Sequence, residues 1–385
     1  MFEFFPGNHA WSTTVNLALM AGGSLGDVQR WLSPLRDAPA ADLDAWAAAW
    51  AGMAHQQELI AAGDVKDGYL ATAGARYLRA SVYHASGQRQ IPLGPAKSES
   101  YAAALQAFGN AVDYAPVSLE RIHVDSPDGT LPGYLIAPDT ADPQPVVIVY
   151  GGLDLTKELL YAVVGDRFAR RGITCLVIDT PGAGELIRLR GVPSRPDYEV
   201  PTAAIIDHLE TRHDVDGRHV AVLGISFGGY YAARSAAFEP RVSACVSWAG
   251  TWDSGAVWRR RWNERSGPEP ASWFLPWVMG TPSIEEALTR MEQWTLADVW
   301  PRVRQPLLIV HGENDREIPV ADARRAFEAA GSADKRLRVF TADEGGAEHM
   351  QTDDPGPALN LIADWLSLHL PVAPCPPGER VLRTV

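Results

Sequence analysis

The chain has 385 residues, 46% of them hydrophobic and 21% charged, enough for one large globular domain and a substantial extra element. A net charge of −13 argues against a nucleic-acid or anionic-membrane partner. No apolar run approaches the roughly 20 residues that span a bilayer.

No Lys or Arg precedes Arg30, so the small-residue run 15–23 lacks the basic flank of a signal peptide. Of the three cysteines (Cys175, Cys245 and Cys375), the first two sit in apolar strand-like runs and read as core thiols of a reducing cytoplasm. No Cys/His spacing suggests a metal site, and no cofactor is expected.

Residues 1–115 read as helical. Stretches 27–36, 41–62 and 65–86 carry apolar residues at three- and four-residue spacing. Pro39-Ala40-Ala41-Asp42 is a helix start, and Gly63 and Gly87 are stops. The Pro/Gly-bearing stretch 88–95 is a break, and one more helix follows over 98–114.

Strands then take over. Segments 117–124 and 131–136 flank the turn Ser126-Pro127-Asp128-Gly129, a hairpin signal. From Pro145 the chain alternates: strands 146–150, 173–178, 220–223 and 242–248 are separated by helices 158–170, 202–211 and 230–238. Strand 307–311, helix 321–330, strand 337–341 and helix 358–370 continue the rhythm. This predicts an α/β chain with a mainly parallel sheet, helices on both faces and the hairpin at one edge. Residues 251–302 interrupt it as short helices broken by Pro268, Pro270, Pro276 and Pro282. The segments are therefore a helical region (1–115), a core (116–250), a cap insertion (251–302), the rest of the core (303–370) and a tail (371–385).

The insertion concentrates tryptophan: Trp252, Trp258, Trp262, Trp273, Trp277, Trp294 and Trp300. Indoles suit a pocket for an aromatic or polycyclic small molecule, with Trp252 and Trp258 the candidates, although most should simply pack the cap. Arg259-Arg260-Arg261 reads first as a solvated charge run, with an anion site as the alternative.

The chemistry centres on 220–229, V-A-V-L-G-I-S-F-G-G. An apolar strand enters Gly224-Ile225-Ser226-Phe227-Gly228 and a helix follows, the context of a nucleophile elbow. Ser226 is then the nucleophile, with the Phe227 N–H directed at a developing oxyanion. A serine needs a base, and His349 lies in a glycine-bearing loop between the last strand and last helix, where the order Ser…Asp…His puts it. His311 reads as structural. In the loop His311-Gly312-Glu313-Asn314-Asp315-Arg316-Glu317, Asp315 is the orienting carboxylate, ahead of Glu313 and Glu317, with Asp253 as the competing position. The second oxyanion donor is Gly152 or Leu153, in Gly151-Gly152-Leu153-Asp154-Leu155-Thr156-Lys157-Glu158. Asp154 either caps the next helix or handles substrate.

These motifs identify a family. Tyr77-Leu78-Arg79-Ala80-Ser81, G-G-L-D-L-T-K-E at 151–158, D-T-P-G-A-G-E at 179–185, G-I-S-F-G-G at 224–229 and H-G-E-N-D at 311–315 resemble the α/β-hydrolase group containing 2,6-dihydroxypseudooxynicotine hydrolase and the fungal polyketide-shortening hydrolases. The resemblance covers nearly the whole chain. It implies an α/β-hydrolase fold and a soluble homodimer whose N-terminal helices and cap close over the site. Some members of the group cleave a carbon–carbon bond beside a ketone. Ser226, Asp315 and His349 match the triad. Asp154 matches a substrate-handling carboxylate, here one methylene shorter than the Glu of the nicotine-pathway enzyme. The expected activity is serine-dependent hydrolysis of a ketone C–C, ester or lactone bond in an aromatic or polyketide-type molecule. The alternative is elimination of an acyloxy group or acyl transfer in natural-product biosynthesis.

Overall fold

The computed structural model describes residues 2–36, 42–114, 119–264 and 271–372. The expected helix start at 39–41, Pro268, Pro270, Cys375 and most of the tail lie outside the described residues.

Five helices come first: α1 (His9–Met20), α2 (Leu25–Leu32), α3 (Leu43–Lys66), α4 (Leu70–Gly87) and α5 (Pro95–Val112). A single 3₁₀ turn, Gln88–Gln90, joins α4 to the break before α5. Helix α1 was not foreseen as a separate element. Its run is mostly small or buried on all sides, Ser12, Thr14 and Asn16 included, so it lacks an amphipathic stripe.

The remainder is an eight-stranded sheet: β1 (Leu119–Val124), β2 (Leu131–Ile136), β3 (Gln144–Tyr150), β4 (Thr174–Ile178), β5 (Val215–Ile225), β6 (Val242–Trp248), β7 (Leu307–Gly312) and β8 (Lys335–Phe340). The order is β1-β2-β4-β3-β5-β6-β7-β8. The β1–β2 hairpin is antiparallel and β2 runs antiparallel to β4. All other pairs are parallel. Strands β3 and β4 are buried at every residue, as continuous apolar runs between two helical layers must be.

On one face, Val147, Val149 and Leu223 pack with the N-terminal helices, with α6 (Lys157–Val164) and with α14 (Pro355–His369). On the other, Val146, Ile148 and Val222 pack with α8 (Glu199–Glu210), α9 (Gly228–Phe238) and α13 (Val320–Ala329). Each such buried aliphatic side chain contributes about 1.5–3 kcal/mol.

Other helices also differ from expectation, and α3 runs through Gly63 rather than stopping there. Helix α6 stops at Gly165, whose φ of 52° ends the turn, so the expected helix 158–170 is cut in two. The short α7 (Gly184–Arg190) was not anticipated. Between β6 and β7, α10 (Ser254–Glu264), α11 (Ala271–Met279) and α12 (Ile284–Met291) form short helices, and Pro276 lies inside α11 rather than ending it. Trp294 and Trp300 are core residues here, consistent with a packing role.

A buried ion cluster explains two of the motifs. Lys157 Nζ donates to Asp179 Oδ2 at 3.1 Å and to Glu185 Oε1 at 2.5 Å, and lies 2.7 Å from Glu158 Oε1. Tyr134 of β2 and Tyr101 of α5 donate to the Glu158 carboxylate. Asp179 also accepts from the Lys157 and Glu185 backbone N–H groups. Burial alone would discharge the ammonium, but Asp179 and Glu158 hold its pKa well above the ordinary lysine value. Lys157→Met should strand buried carboxylates and cost about 3–5 kcal/mol. Urea denaturation would check this, and an unchanged midpoint would contradict the role assigned to Lys157.

Candidate active site

Ser226 occupies the junction between β5 and α9 with φ of 57°, a left-handed backbone costly for any residue with a Cβ. The turn is pinned on both sides: Ser226 N–H donates to Trp248 O, and Gly229 N–H donates to Ser226 O, each at 2.8 Å. It closes only because Gly224 is bare, since a Cβ there would lie 1.8 Å from Gly228 O.

His349 arrives from the loop after β8. That loop is held by Asp353, whose carboxylate accepts from the N–H groups of Gly346, Ala347 and Glu348 at 3.0–3.1 Å. The Asn314 N–H donates to Ala347 O at 2.8 Å, tying the loop of Asp315 to that of His349. Across this junction His349 Nε2 lies 2.8 Å from Ser226 Oγ, and Nδ1 lies 2.7 Å from Asp315 Oδ2. With Nδ1–H donating to the carboxylate, Nε2 is left to accept the serine proton.

Asp315 is itself locked. Its Oδ1 accepts from the N–H groups of Glu317 and Ile318, both at 2.9 Å. His311 is buried with Nε2 2.9 Å from Ile318 O and 3.2 Å from Asp315 Oδ2, a supporting place behind the carboxylate. Burial pushes the Asp315 pKa up, but His349 and His311 hold it well below the usual carboxylate range. Burial likewise disfavours imidazolium at His349, yet the Asp315 charge and hydrogen bond, with Glu317 beyond, raise its pKa above 6.5. Asp253 is elsewhere, accepting from Ala256 N–H at the start of α10.

Ser226, Phe227, Gly152, Leu153, Asp154, Trp258 and His349 line one cavity of about 540 Å³. Gly152 is pressed against the serine, since a Cβ there would lie 2.8 Å from Ser226 Cβ. Asp154 is buried with φ of 68°, and it does not cap α6, because Thr156 accepts from Leu159 N–H instead. Its Oδ1 accepts from Arg188 Nη2 of α7, and its Oδ2 lies 3.5 Å from Arg89 Nε.

Trp252 is outside this lining. Its backbone N–H donates to Asp322 Oδ2 at 2.9 Å and its ring lies under the Arg325 guanidinium, 4.7 Å away, so it ties the segment after β6 to α13. Trp273 of α11 lines the cavity in its place, and Trp11 and His9 of α1 close it from the N-terminal side. Arg261 is not part of a solvated run: it stacks on Trp258 at 4.5 Å and pairs with Glu317 in the wall. Burial would raise the Glu317 pKa, but Arg261 and a hydrogen bond from His9 bring it down to about 2.

A family profile described as Esterase FrsA-like matches residues 43–254, and one described as the alpha/beta hydrolase family matches residues 154–360. The chain belongs to the α/β-hydrolase family. The hydrolase is 28% identical to Hydrolase acrC of Aspergillus aculeatus over 90% of this chain and 93% of that protein. It is 27% identical to 2,6-dihydropseudooxynicotine hydrolase of Paenarthrobacter nicotinovorans, over 83% of each. The crystal structure of 2,6-dihydroxy-pseudo-oxynicotine hydrolase superposes with a TM-score of 0.77 at 26% identity, covering 92% of this chain and 95% of that one.

The electrostatics of the hydrolase set a pH signature. With the His349 pKa raised above 6.5, kcat/KM should rise with pH through a midpoint above that value. Asp315→Asn removes the charge that stabilises imidazolium, so the midpoint should move to lower pH while kcat falls by about four orders of magnitude. A pH–rate profile of both forms on 4-nitrophenyl acetate would check this, and an unmoved midpoint would contradict the pairing.

Proposed function

We propose that this hydrolase uses Ser226 as a nucleophile to hydrolyse a ketone C–C bond or an ester or lactone bond in an aromatic or polyketide-type small molecule. The observation that carries the reading is the continuous chain Ser226 Oγ–His349–Asp315 opening on an aromatic-lined cavity of about 540 Å³. Trp258 and Trp273 supply flat apolar surface for such a substrate.

In the reaction, Ser226 Oγ attacks the carbonyl carbon as His349 Nε2 takes its proton. The oxyanion is received by the Phe227 N–H together with that of Gly152 or Leu153. The imidazolium then protonates the leaving group, an alcohol oxygen in an ester or the enolate of a ketone in C–C cleavage. Water, deprotonated by the same imidazole, releases the acid and restores Ser226. Relatives named as hydrolases of this size support the reading, 2,6-dihydropseudooxynicotine hydrolase among them. We further propose a cytoplasmic homodimer. None of the helices among the described residues is long and apolar enough to cross a membrane.

Ser226→Ala should lower turnover of 4-nitrophenyl acetate and of an aryl β-diketone by about three orders of magnitude or more. In H₂¹⁸O the released acid should carry solvent oxygen. A product with a new double bond and no solvent oxygen would overturn hydrolysis in favour of elimination.

A further inference from the structure

One cation on the cavity wall lacks a partner suited to it. Arg89, in the 3₁₀ turn after α4, lines the same cavity as Ser226 and Asp154. Its Nε is fully enclosed and has no hydrogen-bond acceptor among the described residues. The anion beside it, Asp154 Oδ2 at 3.5 Å, belongs to a carboxylate whose Oδ1 is already taken by Arg188. Two guanidiniums therefore face one carboxylate. The other anion in the wall, Glu317, is matched by Arg261 and by the hydrogen bond from His9.

A guanidinium presents five N–H donors; Nε is enclosed, but the side chain keeps 20% of its surface exposed in the cavity wall, so a ligand there supplies acceptors to the remaining donors. Burial pulls the Arg89 pKa down to about 10 against the opposing charge of Glu317, so the group stays cationic at neutral pH. A planar fork of N–H donors matches a planar pair of oxygens.

We propose that Arg89 is a carboxylate-binding subsite, so that the substrate carries a carboxylate, or a comparably delocalised anionic oxygen pair, besides the carbonyl attacked by Ser226. The Asp154 carboxylate anchors Arg89, and the surplus positive charge of Arg89 and Arg188 around that one carboxylate selects the anionic substrate. This inference rests on the hydrolase reading above.

The test uses two esters of similar length: mono-4-nitrophenyl glutarate, which ends in a carboxylate, and the neutral 4-nitrophenyl butyrate. The wild type should favour the glutarate in kcat/KM. Arg89→Gln should lower the glutarate-to-butyrate ratio about tenfold or more, and Arg89→Lys, which keeps the charge but not the fork, should lower it less. Calorimetric titration of mono-4-nitrophenyl glutarate into Ser226→Ala, with and without Arg89→Gln, reads binding without turnover. Affinity should fall about tenfold in the double variant. An equal ratio in wild type and Arg89→Gln, or binding to Ser226→Ala indifferent to Arg89, would overturn the subsite. If neither ester is turned over but the calorimetric difference holds, the hydrolase reading fails and the subsite stands.

Discussion

The buried Lys157 ammonium is the tie on which the rest of the site depends. It joins the start of α6, the end of β4 and the start of α7 through Glu158, Asp179 and Glu185. Tyr101 and Tyr134 extend the tie to α5 and β2. Each group alone would be unstable in that interior, so the elements are compelled to meet where the charges cancel. The consequence reaches the chemistry. Fixing α6 fixes the loop Gly151–Leu155 that lies against Ser226, and fixing α7 delivers Arg188 onto Asp154.

A second layer of charge balance surrounds the proposed nucleophile. Asp315 and Glu317 occupy one loop, yet only Asp315 touches His349, because Glu317 is drawn aside by Arg261 and His9. Both still favour the charged form of His349. Asp154, also in the cavity wall, is flanked by two guanidiniums, so its charge is compensated.

What was legible in the sequence is what local rules govern. The parallel strands, the edge hairpin and the G-x-S-x-G turn carry their geometry in a few consecutive residues, and Ser226, Asp315 and His349 follow from loop order along the sheet. Long-range pairings were less visible. Arg188 reaches Asp154 from 34 residues away, on a helix too short to show periodicity. Glu317 of the loop after β7 meets Arg261 of α10 across the fold, so a basic run looked solvated. Helix α1 is polar and apolar on every buried side, which hid the contribution of Trp11 and His9 to the cavity. Trp252 fails as a wall residue because Arg325 and Asp322 claim it from α13, a contact that composition cannot reveal.

The central claim is that Ser226 is an activated nucleophile, and covalent capture tests it most directly. Intact-mass analysis after brief exposure to a fluorophosphonate should show one adduct on the wild type, mapped to Ser226, and none on Ser226→Ala. Slower labelling below the His349 pKa would follow from loss of the base. A folded wild type that stays unlabelled, or a Ser226→Ala protein that labels equally, would contradict the account.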